Sequence, residues 1–282
     1  MKTLEQLKKQ KFRHDAISSK VNDIESIYSD SNIQISNSHQ LSSLLSDAKE
    51  LAAEWSKGNA SDTDMRKLFS ALHIERIHSA IQLLKIEKNK DKYLKDLLNG
   101  TLNFFERDVS HAKSILWELE AYTKFKKAIF ETYLEEPDIV VDIDHFRIAI
   151  PCKKIFSEKG VPKVLSNAVS QIENEHEFGI VAMNLDDLVP KSVLLKAKTF
   201  KEAGDRLHAE NMDFLRRQER HFIKYLSTSR IVAVIASTSM VADILDESPK
   251  FNNFSQWAIW TIPGLKPKHK IAVNRFRDKV IG

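Results

Sequence analysis

A mixed α/β fold, with a small mixed sheet flanked by helices and a helical region in front of it, is what this 282-residue sequence predicts. Three observations carry that expectation. Glycine occurs 7 times and charged residues make up 29% of the chain, a helix-rich soluble composition. The first part of the chain repeats apolar residues at three- and four-residue spacing. Beyond Asp138 the period shortens to two in several β-branched runs. The sequence divides accordingly into a helical N-terminal region, residues 1–103, and an α/β block, residues 104–282.

In chain order, Ile17, Val21, Ile24 and Tyr28 make the apolar stripe of a first helix. The Ser/Asn-rich run from Asp30 to Asn37 predicts a loop. Leu41, Leu44, Leu45, Ala48, Leu51, Ala52 and Trp55 form a second stripe. A turn is expected over residues 56–62, with Ser61 or Asp62 capping the next helix. Leu68, Leu72, Ile77, Ile81 and Leu84 mark that helix. Tyr93, Leu94, Leu97 and Leu98 mark another, closed by Asn99-Gly100. A long helix is then expected from about Phe104 towards Phe130. Its wheel puts Ile115, Leu119, Tyr122, Phe125 and Ile129 on one face with Glu118 among them, and turns Glu120 to the opposite, solvated side. A carboxylate within an apolar face is costly unless a polar or charged group meets it, so Glu118 is the informative acid.

Ile139, Val141 and Ile143 alternate with Val140, Asp142 and Asp144, the period of a strand. Phe146 to Ile150 is a second strand, and Asp144-His145 predicts a hairpin between the two. Pro162 opens a helix with Val161, Val164, Leu165, Ala168 and Ile172 on its face. Phe178 to Met183 is a further strand, followed by a long helix over roughly Lys196 to Leu226. Arg230 to Ala236, nearly pure in Val, Ile and Ala, predicts a central strand buried on both faces. Trp257 to Ile262 reads as a strand, and Lys270 to Lys279 as a terminal helix.

Several functions are set aside by residue content. Cys152 is the single cysteine, which excludes an internal disulfide and a multi-cysteine zinc site and fits a reducing, cytoplasmic setting. Its strand face, shared with Ile148 and Ile150, predicts a packing role. No apolar run approaches the roughly 20 residues of a membrane span. There is no GxxxxGK[ST] or GxGxxG loop, so nucleotide hydrolysis is not expected. The net charge of +4 permits nucleic-acid binding without arguing for it.

One ordered set remains. Glu118 lies on a helix, Pro137-Asp138 precedes an apolar strand, and a second strand ends in Cys152-Lys153. Gln171 sits on the apolar face of the next helix, before the strand Gly179-Ile180-Val181-Ala182. That order resembles the PD-(D/E)XK, restriction-endonuclease-like nuclease superfamily. The resemblance covers residues 110–190 and implies a metal-dependent nuclease acting on DNA, in a setting of bacterial defence or repair. It implies Asp138 and Glu118 as ligands of Mg²⁺ or Mn²⁺, Lys153 as the catalytic cation, and Gln171 as the residue that orients lysine or substrate. Pro151 departs from the pattern, because it stands where the second acidic ligand is expected. Asp142 is the candidate replacement, since it shares a strand face with Asp138; Glu173 is a weaker one. Without a replacement, the chain would be a catalytically inactive nuclease fold that binds nucleic acid or serves assembly.

Each piece alone has a plainer reading: a turn opening, a solvated lysine at a strand end, an ordinary helix glutamine. Arg216, Arg217, Arg220 and Lys224 form a basic cluster that would hold DNA phosphates if its helix borders the site, and otherwise compensates a helix dipole. Lys266, Lys268, His269 and Lys270 make a second basic patch. The apolar stripes of the N-terminal helices suggest contact with a protein partner or self-association.

Overall fold

A computed structural model of the chain describes residues 16–57, 64–104, 106–190 and 193–281. Four helices open it: α1 (Ile17–Asp30), α2 (Gln40–Ser56), α3 (Met65–Ile81) and α4 (Lys90–Asp96). The predicted stripes are their buried faces, with Ile17, Val21, Ile24 and Tyr28 on α1 and Leu41, Leu44, Leu45, Ala48 and Leu51 on α2. The cap of α3 is Asp64, whose carboxylate accepts from the N–H of Arg66 at 2.8 Å; Ser61 and Asp62 lie outside the described residues. Gly100 closes the α4 region at φ +119°, a conformation that favours glycine.

The next helix, α5 (His111–Ala128), is shorter than the sequence suggested. Ser110 caps it, and the preceding residues form a connection. Strands β1 (Thr132–Tyr133), β2 (Ile139–Ile143) and β3 (Phe146–Ile150) follow as an antiparallel meander, with Asp144 in the left-handed region at the β2–β3 turn. Pro151 ends β3. Beyond it, β4 (Cys152–Lys154) continues along β5 (Gly179–Asn184) in parallel. Helix α6 (Val161–Glu175), opened by Pro162, links β4 to β5.

The long helix expected over Lys196 to Leu226 is three elements. Leu195–Ala197 is strand β6, Phe200–Arg217 is α7, and Glu219–Thr228 is α8, with the break at Gln218. The cause lies in β7 (Ile231–Ile244), which extends well past the apolar run that predicted it. Its first half lies beside β5 and its last residues beside β6, both in parallel; β8 (Phe251–Trp260) runs antiparallel along its other edge. The segment before α7 therefore finds a strand edge to join. Helix α9 (Pro267–Val280) completes the chain.

The result is a mixed eight-stranded sheet with helices on both faces. Alternate residues of β5 divide between them: Ile180 and Ala182 join one core, Val181 and Met183 the other. The first core runs without interruption from α1 to α3 through α5 and the sheet to Phe276 of α9, so the N-terminal stripes are occupied within the chain. The second packs α6, α7 and α8 against the opposite face. Gly179 is needed where these layers meet. A Cβ there would lie 2.5 Å from the carbonyl oxygen of Ala149 and 2.7 Å from Ile172 Cδ1, so only glycine allows β3, β5 and α6 to close up. Among the described residues, no helix is long and apolar enough to cross a membrane.

Candidate functional site

The site forms where β2 begins. Asp138 immediately precedes that strand, and its Oδ2 accepts from the backbone N–H of Cys152 at 2.6 Å and from Lys153 Nζ at 3.2 Å. Pro151 explains the arrangement. It ends the β2–β3 ladder, and the next N–H turns to the Asp138 carboxylate. The Pro151 carbonyl, the one group through which proline could coordinate a metal, accepts from Ala182 N–H at 3.0 Å and belongs to the β4–β5 ladder.

Glu118 approaches from α5. Its Oε1 accepts from Tyr93 Oη at 2.9 Å, a contact from α4 that sequence reasoning missed because it placed no chemistry in the N-terminal region. Burial, reinforced by the charge of Asp138, pushes the Glu118 carboxyl up to about 8. Burial also raises Asp138, against the pull of Lys153 and the Cys152 N–H. Asp138 has Lys153 beside it, whereas Glu118 makes no ion pair among the described residues and the Asp138 charge disfavours its ionisation. The Cys152 thiol is raised well above its ordinary range by burial and by both carboxylates, consistent with packing and not with a nucleophile. Gln171 reaches the same corner from α6. Its Nε2 donates to the carbonyl of Pro137 at 3.4 Å, and its Oε1 is buried with no partner. The Lys153 and Asp138 side chains remain 20% and 19% exposed, so a ligand can reach them.

Other sequence candidates lie elsewhere. Asp142 faces Arg147 across the β2–β3 hairpin, 2.9 Å from its Nη1, and Arg147 also holds Glu135 at 2.6 Å. Four residues of extended chain, on the order of 13 Å, separate Asp142 from Asp138, too far to share one ion. Glu173 is exposed on α6. The basic cluster is divided by the break at Gln218 and half neutralised. Arg216 pairs with Asp213 at 2.8 Å, and Arg217 pairs with Glu158 at 2.8 Å. Arg220 lies against His221, and Lys224 lies over the Tyr225 ring. Lys268 of the second patch pairs with Glu177.

Glu120 requires a correction. It is not solvated. Arg76 of α3 grips it through Nε and, at 2.9 Å, through Nη2, while the same Nη2 holds Asp186 at 2.6 Å. The wheel assumed a helix buried on one side, but α5 is enclosed on most of its circumference, with Leu116, Trp117 and Ala121 buried beside the expected face. Burial opposes charge on Arg76, yet Glu120 and Asp186 outweigh it and hold the guanidinium protonated. The network continues to Lys154, which donates to Asn184 Oδ1 at 2.8 Å and lies 2.7 Å from Asp187 Oδ2, off-line for a hydrogen bond. Lys153 and Lys154 thus serve opposite sides of β4.

No family model matches the chain, and neither does any curated protein or solved structure.

Proposed function

We propose that the chain is a metal-dependent phosphodiesterase of restriction-endonuclease-like type that cleaves DNA. One observation carries the reading: Glu118 of α5, Asp138 before β2, Lys153 of β4 and Gln171 of α6 gather at one corner, along an α-β-β-β-β-α-β path whose last strand is parallel to β4. The donor set fits a hard divalent cation. Asp138, beside Lys153, and Glu118, without an ion pair among the described residues, are two oxygen-bearing side chains, and Mg²⁺ is commonly held by one or two carboxylates with water completing its shell. When bound, Mg²⁺ or Mn²⁺ would lower the pKa of a coordinated water and offset charge on the phosphate. The chain's residues do the rest. Tyr93 fixes the Glu118 carboxylate, and Asp138 holds the Lys153 ammonium where an incoming phosphate would meet it. Gln171 offers a buried acceptor beside them. Bacterial defence or repair is a setting that such an activity would serve.

A second reading rests on Pro151. With its carbonyl in the ladder and Asp142 paired to Arg147, the corner has two carboxylates where the nuclease pattern has more. On that reading the fold binds nucleic acid or a partner without cutting. Incubating the protein with plasmid, linear duplex, single-stranded DNA and RNA, with Mg²⁺ or Mn²⁺ and with chelator, separates the two. Chelator-sensitive cleavage that disappears in Lys153→Ala supports the enzyme. Binding without cleavage under every condition supports the second reading.

A further inference from the structure

A cavity of ≈640 Å³ lies on the other side of α5 from Glu118 and Asp138. Its wall follows one face of that helix, through Lys113, Trp117, Glu120, Lys124 and Lys127. At 1.5 Å per residue this face is roughly 20 Å long. The size falls within the range of small-molecule sites. Its position, beyond the carboxyl ends of the parallel strands β4 and β5, is where ligands of open α/β sheets collect.

The cavity differs from end to end. At one end Lys127 and Lys279 are exposed and engage no carboxylate among the described residues. At the other, Phe104, Val189 and Leu194 supply an apolar wall, tied by Arg107 Nη1 and Nη2 to the carbonyls of Phe104 and Pro190 at 3.2 and 3.3 Å. Between them the carboxylates of Glu120, Asp186 and Asp187 are balanced by Arg76, Lys154 and Arg107, and the buried Lys113 ammonium donates to the Glu106 carbonyl, so the exposed, unpaired charge is cationic and sits at the lysine end. Two buried donors on the lining lack acceptors: Trp117 Nε1 midway and Arg107 Nε at the apolar end. Buried donors in folded proteins are nearly always satisfied, and both side chains line the cavity, so a small turn of either would present its N–H to an acceptor on an occupant.

We infer that this cavity binds a nucleoside phosphate, with the phosphates at Lys127 and Lys279, the sugar beside Trp117, and the base against the apolar wall near Phe104 and Arg107. An elongated ligand with an anionic head, acceptors along its middle and a flat apolar end matches the sequence of groups along α5. The inference is independent of whether the Asp138 corner cuts DNA. The nucleotide is either free in solution or the terminal nucleotide of a strand.

The test titrates the full chain, without divalent metal, with ATP, AMP, inorganic triphosphate and decanoate, followed by calorimetry and tryptophan fluorescence. ATP is expected to bind saturably and AMP more weakly. Lys127→Glu with Lys279→Glu, both at exposed positions, should weaken ATP at least tenfold. Trp117→Phe keeps an aromatic ring but loses the donor, and should weaken it severalfold. Lys49→Ala with Lys201→Ala, both exposed and outside the cavity lining, should leave it unchanged. Displacement of ATP by a 5′-phosphorylated oligonucleotide, and not by its unphosphorylated counterpart, would identify a strand terminus as the natural source; failure of both to compete identifies a free nucleotide. The inference is overturned by absence of saturable ATP binding to millimolar concentration, by binding indifferent to Lys127→Glu/Lys279→Glu, or by triphosphate or decanoate binding as tightly as ATP.

Discussion

Glu118 and Glu120 stand two residues apart on one helix and live in opposite electrostatic worlds. Glu118 faces Asp138, with a tyrosine hydroxyl as its hydrogen-bond partner, and is pushed up to about 8. Glu120 faces a guanidinium that also holds Asp186. Lys153 and Lys154, consecutive on β4, repeat the contrast, one beside Asp138 at the exposed corner and the other within the buried network. The difference teaches that residue type and spacing say little about a charged group's task. What matters is whether its charge is matched within the fold or left short. The Arg76 side is matched and holds structure together; the Asp138 corner is matched only in part, because Glu118 has no ion pair among the described residues.

The largest effect should come from unmatching the matched side. Arg76→Met would leave Glu120 and Asp186 buried without their cation, a loss on the order of 3–5 kcal/mol, read as a fall in the urea midpoint. If Arg76→Met is as stable as the wild type, the network is decorative and the contrast collapses. Next comes the Asp138 corner. If it hydrolyses phosphodiesters as proposed, Asp138→Ala and Lys153→Ala should each lower metal-dependent turnover by about a hundredfold, the scale of losing one electrostatic stabiliser, with the urea midpoint falling less than in Arg76→Met. Equal losses of folding in all three variants would erase the distinction.

A smaller effect sharpens the comparison through pH. The folded pKa of Glu118 is raised, so its contribution to stability is complete below about 4.5 and is lost as pH rises through about 8. Without metal, the wild type should lose about 2–4 kcal/mol more than Glu118→Gln between those limits. Mg²⁺ or Mn²⁺ should shrink that slope, because an ion favours the ionised carboxylate and releases its proton. Parallel pH profiles for the two proteins, measured by urea unfolding, would show that Glu118 is not held neutral. Smallest of all, Arg216→Ala with Arg220→Ala should reduce DNA affinity only a few-fold and flatten its salt dependence slightly, since Arg216 is already paired with Asp213. A thousandfold loss would restore the cluster as the principal DNA contact.

Much of the scaffold was legible because burial on one face leaves a period. The stripes of α1 and α2, the β2–β3 hairpin and the Pro162 helix start each carry a local signal. Elements defined by a partner were not legible. The far half of β7, with Ser237, Thr238 and Ser239, and the Asn-rich start of β8 become strands by pairing with each other, and β6 by joining β7. The same limit shaped the site. Glu118 stood out because an apolar face makes a carboxylate conspicuous, whereas Tyr93 and Arg76 act across dozens of residues of chain and carry no motif. Glu120 was misplaced because a helical wheel assumes one wet side, and α5 is enclosed on most of its circumference.

Strand β4 ties the two compartments to a single alignment. It is three residues long, starts where Pro151 ends β3, and sets Cys152, Lys153 and Lys154 opposite Ala182, Met183 and Asn184. Successive side chains of a strand leave by opposite faces, so a slip of one residue would send each lysine to the wrong compartment. Asp138 would lose its cation and Asp187 would lose its own in the same event. An insertion or deletion between Pro151 and Lys154 therefore cannot damage one side and spare the other, and the two can drift apart in sequence only by substitution.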